Sequence, residues 1–144
     1  YIIAEIGVNH EGSFDKAKEL IELAKEGGAQ AAKFQSYKAE TLASKNSPSY
    51  WDLSKENNTS QYNLFKKYDN FEFDEYQKLA EFCKEIDIDF LSTAFDEASV
   101  KYLKELMPVY KIASADITNL HLIKQIANTA NQLYYRLVHQ ILMK

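Results

Sequence analysis

Polar residues close the short apolar runs of this 144-residue chain, and they are of the types that handle anions and protons. Glu5 follows Ile2-Ile3-Ala4. Lys33 and Gln35 sit in Ala31-Ala32-Lys33-Phe34-Gln35. Ser92 and Thr93 end the run from Asp89. Lys111 and Ser114 lie in the run from Val109 to Ser114. If these runs are strands that feed one mouth, two ammonium groups and several hydroxyls meet there. That set suits a phosphate or a carboxylate, because charge-assisted hydrogen bonds to such oxygens are the strong ones. The alternative is that each lysine pairs with a local acid such as Glu5 or Asp116. A carboxylate inside an apolar run needs a partner. Glu5 is therefore either a member of a structural ion pair or a general acid/base. His10 stands alone after Asn9, and a lone histidine is weak ground for a metal; the reading here is that it orders its loop by hydrogen bonding. His121 and His139 share no ligand spacing with it and read as solvent-facing.

The elements that must position these groups alternate along the chain. The Ile2–Ile6 run reads as a buried strand that ends at Gly7. Ser13 can cap a helix whose apolar face is Phe14, Ala17, Leu20, Ile21 and Ala24, and Gly27-Gly28 stops it. The second strand carries small residues, as a parallel strand packed on both faces requires. A polar stretch from Ser36 to Asn70 follows. Connections of that length are usually functional or disordered, and Ser60 to Tyr68 could form a short helix. Next comes an amphipathic helix with Tyr76, Leu79, Ala80, Cys83 and Ile86 on one face. The third strand is Asp89 to Thr93, and Asp96 caps a third helix with Val100, Leu103 and Leu106 inward. The fourth strand is Val109 to Ser114. The fourth helix runs from about Asn119 to Asn128, with Leu122, Ile123, Ile126 and Ala127 inward.

This β-α-β-α-β-α-β-α order argues for a parallel sheet with covering helices. All four strands carry polar groups at their C-terminal ends, which favours a (β/α)8 barrel of the TIM type over an open doubly wound sheet. Neither a G-x-G-x-x-G fingerprint nor a Walker motif is present. A whole barrel needs about 250 residues, so the expectation is the first four β/α units with the remainder missing.

Bulk properties narrow the class. Hydrophobic content of 46% and charged content of 26% are ordinary for a soluble globular chain. A domain of this size buries roughly 68–70% of its unfolded surface. The net charge is −4 with no basic run, which argues against nucleic acid. No stretch reaches the roughly 18 apolar residues of a membrane span. The single cysteine, Cys83, excludes an intramolecular disulfide framework and reads as a small buried hydrophobe. These features point to the cytoplasm. The chain does not begin with Met, so a few leading residues are expected to be missing.

Ala4-Glu5-Ile6-Gly7-Val8-Asn9-His10, Lys33-Phe34-Gln35, Ser92-Thr93-Ala94-Phe95-Asp96 and Lys111-Ile112-Ala113-Ser114 resemble, in order, the sialic acid synthase family. The forms here look closer to its sialic and legionaminic acid branch than to its pseudaminic acid branch. The resemblance implies a (β/α)8 barrel followed by a small antifreeze-like domain in a homodimer. It implies condensation of phosphoenolpyruvate with an N-acylated mannosamine-type sugar, giving a nine-carbon 2-keto sugar acid and phosphate. A divalent metal, Mn2+ or Mg2+, polarises the sugar aldehyde in that family, and its ligands come later than this chain. By the same resemblance Lys33, Thr93, Lys111 and Ser114 would bind phosphoenolpyruvate and Gln35 the sugar. Glu5 would lie by the sugar and the metal-bound water. Asp116 would help activate water from a position that is Glu in several members, one methylene longer.

The resemblance is expected to stop near Thr129. Residues 1–129 read as the N-terminal half of a synthase barrel and 130–144 as a divergent tail, by truncation or frameshift. Leu133, Leu137 and Ile141 fall at helical spacing, so the tail could extend a helix. An open half-barrel leaves sheet edges unpaired, and the chain alone is expected to be inactive and either poorly soluble or oligomeric. Two alternatives stand beside this reading. One is another phosphoenolpyruvate- or phosphosugar-using barrel, an aldolase or a 3-deoxy sugar acid synthase. The other is a non-catalytic half-barrel that self-associates.

Overall fold

A computed structural model describes residues 1–129 and, as a strand, residues 132–135. The order is β1 (Ile3–Gly7), α1 (Phe14–Glu26), β2 (Ala31–Ser36), α2 (Ala39–Leu42), α3 (Gln61–Tyr68), α4 (Phe73–Glu85), β3 (Asp89–Ala94), α5 (Glu97–Leu103), β4 (Val109–Ile112), α6 (Leu120–Ala127) and β5 (Gln132–Tyr135). Every strand pairing is parallel, in the ladders β1-β2-β3 and β4-β5. The alternation expected from the sequence is present, and helices cover the sheet as parallel pairing demands.

Local chemistry sets the boundaries. The Ser13 hydroxyl accepts the Lys16 N–H and starts α1, and the chain leaves that helix through Gly27 and Gly28. Asp96 starts α5 by accepting the Ser99 N–H. At α4 the cap is Glu72, which forms a reciprocal capping box with Glu75. The core lies between strands and helices: Ala17 and Ile21 of α1, Tyr76, Leu79 and Cys83 of α4, and Val100 and Leu103 of α5 are buried against Phe34, Phe90 and Tyr110. Cys83 is a buried thiol, pushed up to about 12 by burial, which fits a packing role.

Three expectations are corrected, and a fourth is met. The fourth strand ends at Ile112, because the backbone turns into a 3-10 segment over Ser114–Asp116. Ala127 is exposed at the end of α6 rather than inward. The short helix expected over Ser60 to Tyr68 is present as α3, and the long connection also holds α2 and an antiparallel bridge between Pro48 and Ser60. Residues 132–135 are a strand rather than part of a helix: β5 pairs in register with β4, Val109 opposite Gln132 and Ile112 opposite Tyr135. A ladder partner satisfies the β4 backbone, which a helix would leave open. The architecture therefore reaches a fifth strand beyond the four units expected. Leu137, His139 and Ile141 lie outside the described residues.

The β1–α1 loop carries the tightest backbone constraint. Gly12 has φ +78°, and a Cβ there would sit 2.4 Å from Asn70 Nδ2 and 3.0 Å from Asn70 Cβ. Gly28 has φ +83° with nothing within 4 Å of such a Cβ. Gly28→Ala should therefore cost only left-handed strain, about 1 kcal/mol, and Gly12→Ala about 2–3 kcal/mol by urea denaturation. Equal losses would show that Asn70 yields freely.

Candidate functional site

The two residues first singled out stand side by side. Glu5 and Lys33 are register partners across β1 and β2. Lys33 Nζ lies 2.5 Å from Glu5 Oε2, with the lysine 3% exposed and the glutamate 47%. The local pairing left open by the sequence is thus the one Lys33 makes. Of the three N–H donors on an ammonium, one serves Glu5. The pairing register shifts between Glu5 and Gly7, where Gly7 takes φ +59° and releases the chain from β1.

Strand alternation sorts the remaining candidates by face. Gln35 and Thr93 are register partners across β2 and β3, two residues beyond Lys33 and Leu91. Gln35 therefore shares the face of Lys33, and Thr93 stands beside it. Thr93 Oγ1 is buried and has no hydrogen-bond partner among the described residues. Buried hydroxyls seldom lack a partner, so this one is a candidate binding group. Ser92 points to the opposite, helix-covered face, where its hydroxyl shares a 2.7 Å hydrogen bond with Ser36. It leaves the group of hydroxyls that the sequence suggested, because adjacent residues of a strand cannot share a face.

On β4 the Tyr110 hydroxyl donates to the Val100 carbonyl of α5 at 2.5 Å. Tyr110 thus faces the helices, and Lys111 the inner face. Ser114 and Asp116 lie in the 3-10 turn that follows β4 rather than on the strand. The Asp116 carbonyl accepts the Asn119 N–H at 2.8 Å, which fixes that turn. The structure therefore joins Glu5 to Lys33 directly, sets Gln35 and Thr93 next to them, turns Lys111 to the same side, and hangs Ser114 and Asp116 on the loop at the same end.

His10 orders the β1–α1 loop as expected: its Nδ1 accepts the Gly12 N–H at 3.1 Å. His121 is exposed and meets Glu97 at 2.7 Å. Among the described residues no group of three or more His, Cys, Asp or Glu is placed to hold a metal ion. Those residues do not fit the divalent cation that the resemblance implies.

Sequence reasoning missed the clasp beside this site. Asp69 accepts the Ala39 N–H at 2.8 Å and meets Lys38 Nζ at 3.1 Å. Asp96 accepts from Lys38 N and Thr41 Oγ1 besides capping α5. These partners are about 30 to 60 positions apart, and no periodicity announces them. Only the role of Asp96 as a cap was legible.

A parallel β/α sheet that gathers a buried lysine and a carboxylate in mid-strand, with a hydroxyl unpaired among the described residues toward the C-terminal end of β3, is an arrangement that a barrel-type enzyme can use. The sequence profile of the NeuB family matches residues 20–135. The chain is 40% identical to the N,N'-diacetyllegionaminic acid synthase of Legionella pneumophila over 131 residues, 89% of this chain and 36% of that protein. It is 36% identical to the human N-acetylneuraminate-9-phosphate synthase over 128 residues, 88% of this chain and 36% of that one. A solved N-acetylneuraminic acid synthetase from Leptospira borgpetersenii, in complex with citrate, superposes with a TM-score of 0.79 at 33% identity, covering 94% of this chain and 43% of that one. The chain belongs to the NeuB family, whose relatives named here are synthases. It spans about a third of the length of the curated relatives it matches. The match extends to residue 135, past the point near Thr129 where the resemblance was expected to stop.

The Glu5–Lys33 pair gives a stability prediction. Glu5→Gln leaves a buried ammonium without its carboxylate and should cost about 1–3 kcal/mol, less than a fully buried pair because Glu5 is half exposed. Adding Lys33→Met removes the orphaned charge and should recover part of that loss. A double variant less stable than the single one in urea would contradict the pairing.

Proposed function

We propose that this chain is the first part of the barrel of an N-acylneuraminate-type synthase, which joins phosphoenolpyruvate to an N-acylated mannosamine-type sugar. The observation that carries the reading is the inner face: a buried Lys33, paired with Glu5, beside a buried Thr93 hydroxyl that lacks a partner among the described residues. Family membership and relatives named as sialic and legionaminic acid synthases support it.

In this reading Lys33 and Lys111 neutralise the carboxylate and phosphate of phosphoenolpyruvate, and the Thr93 and Ser114 hydroxyls donate to their oxygens. Gln35 contacts the sugar. C3 of phosphoenolpyruvate forms the new bond to the aldehyde carbon, the aldehyde oxygen takes a proton, and water adds at C2. Phosphate then leaves as the C2–O bond breaks. Glu5, half exposed beside Lys33, is placed to hold or pass a proton on the sugar side. Asp116 helps orient the water; its side chain is one methylene shorter than glutamate, so it acts across a longer gap.

Site residues supplied by the rest of such a barrel are needed for turnover. The purified 144-residue chain should therefore release no phosphate from phosphoenolpyruvate and N-acetylmannosamine above the no-enzyme rate. Measurable synthase turnover by this chain would overturn that part of the proposal. The anion site has its own test. In a full-length synthase carrying this segment, Lys33→Ala should weaken phosphoenolpyruvate binding by at least tenfold in calorimetry, the cost of about 1.4 kcal/mol or more for a lost charge-assisted contact. Unchanged binding would remove Lys33 from the site.

A further inference from the structure

We propose that His10 is an acid-sensitive latch: neutral, it fastens the connection between β2 and α4 to the β1–α1 loop, and protonated, it releases that connection.

The geometry defines one proton state. The His10 side chain is 1% exposed. Its Nδ1 accepts the Gly12 N–H, so the ring's single proton is on Nε2. Nε2 is itself buried and has no partner among the described residues. The ring stacks on Phe71, with centroids 4.2 Å apart and planes 18° from parallel, and is tilted against Phe34 at 5.9 Å. Phe71 ends the connection, next to Asn70, whose side chain closes on Gly12. The far end of the connection thus rests on the β1–α1 loop. Its near end is tied to the same place, because Asp69 holds Lys38 and Ala39.

A second proton has one place to go, Nδ1. There it turns the acceptor of the Gly12 bond into a donor that faces a donor. It also sets a charge in a buried site, with no acceptor for Nε2–H among the described residues. The charged groups on the packed elements do not offset this. Lys16 on α1 is a cation, and Glu11 on the loop is already bound to it at 2.8 Å. Lys67 on α3 is another cation. Asp69 and Glu72, which flank Phe71, are both taken by Lys38. Phe34 is what β2 contributes. Burial, reinforced by Lys16, pulls the closed imidazole down to about 4. Once released into water it would titrate near its ordinary value of about 6.5. The open form then binds more protons, so closure is fully favoured above about pH 6.5 and weakens as pH falls toward 4. At pH 5 the open population should be on the order of thirtyfold higher than at pH 7.5. That lies above the range where ordinary carboxylates titrate, so release precedes general acid unfolding.

Hydrogen exchange read by mass spectrometry at pH 7.5, 6 and 5, corrected for intrinsic rates, tests this on the chain as it stands. The expected result is a loss of protection on the order of thirtyfold in peptides spanning residues 8–16 and 66–73, with β2 and β3 unchanged. Two variants remove the titration in different ways. His10→Asn keeps an acceptor two residues before Gly12, and His10→Phe keeps the ring stack. Whatever its starting protection, each should vary less than about threefold over this pH range. No step in the wild type, a step retained in either variant, or a loss spread equally over β2 and β3 would overturn the latch.

Discussion

A lysine buried to 3% exposure in the middle of β2 is the constraint from which the rest of the architecture follows. An ammonium out of water needs a counter-charge and hydrogen-bond acceptors. The carboxylate that meets it comes from the register position opposite on β1. That pairing fixes both neighbour and register: a slip of one residue would turn Lys33 into the apolar layer of α1 and α4. The same register sets Gln35 and Thr93 side by side. The candidate face and a correctly paired sheet are here one requirement.

Much of this was legible in the sequence because it is local or periodic. The alternating apolar runs, the caps at Ser13 and Asp96, the Gly27-Gly28 stop and the buried Cys83 all follow from spacing and residue type. The polar ends of the strands pointed to the candidate face. What misled was also local. Ser92 looked equivalent to Thr93 because faces are assigned only once a strand's phase is known, and its hydroxyl is spent on Ser36. Ser114 looked like strand because the 3-10 turn after Ile112 leaves no mark in composition. The tail looked helical because Leu133 falls at helical spacing with later residues. Pairing with β4, a tertiary effect, makes residues 132–135 a strand.

The connection between β2 and α4 was the least legible part. Its residues are polar and its length suggested a segment that is functional or disordered, and both its ends are fastened. Asp69 and Asp96 hold its start, and Phe71 and Asn70 seat its end on His10 and Gly12. None of these contacts has a sequence period, because each joins segments that only the fold brings together. They place an ordered segment directly after Gln35 and Thr93. The scaffold that carries the proposed site therefore also governs the loop beside it.

In the proposed site, Lys33 and Lys111, on strands two apart, serve one anion on the inner face. The most direct measurement is a nitrogen-15 NMR titration of the lysine side chains with phosphoenolpyruvate. The account predicts that the Lys33 and Lys111 signals move together along a single binding curve, while Lys25 and Lys84, which line a cleft at the other end of the strands, stay still. Movement of Lys25 and Lys84 instead, or separate curves for Lys33 and Lys111, would contradict it.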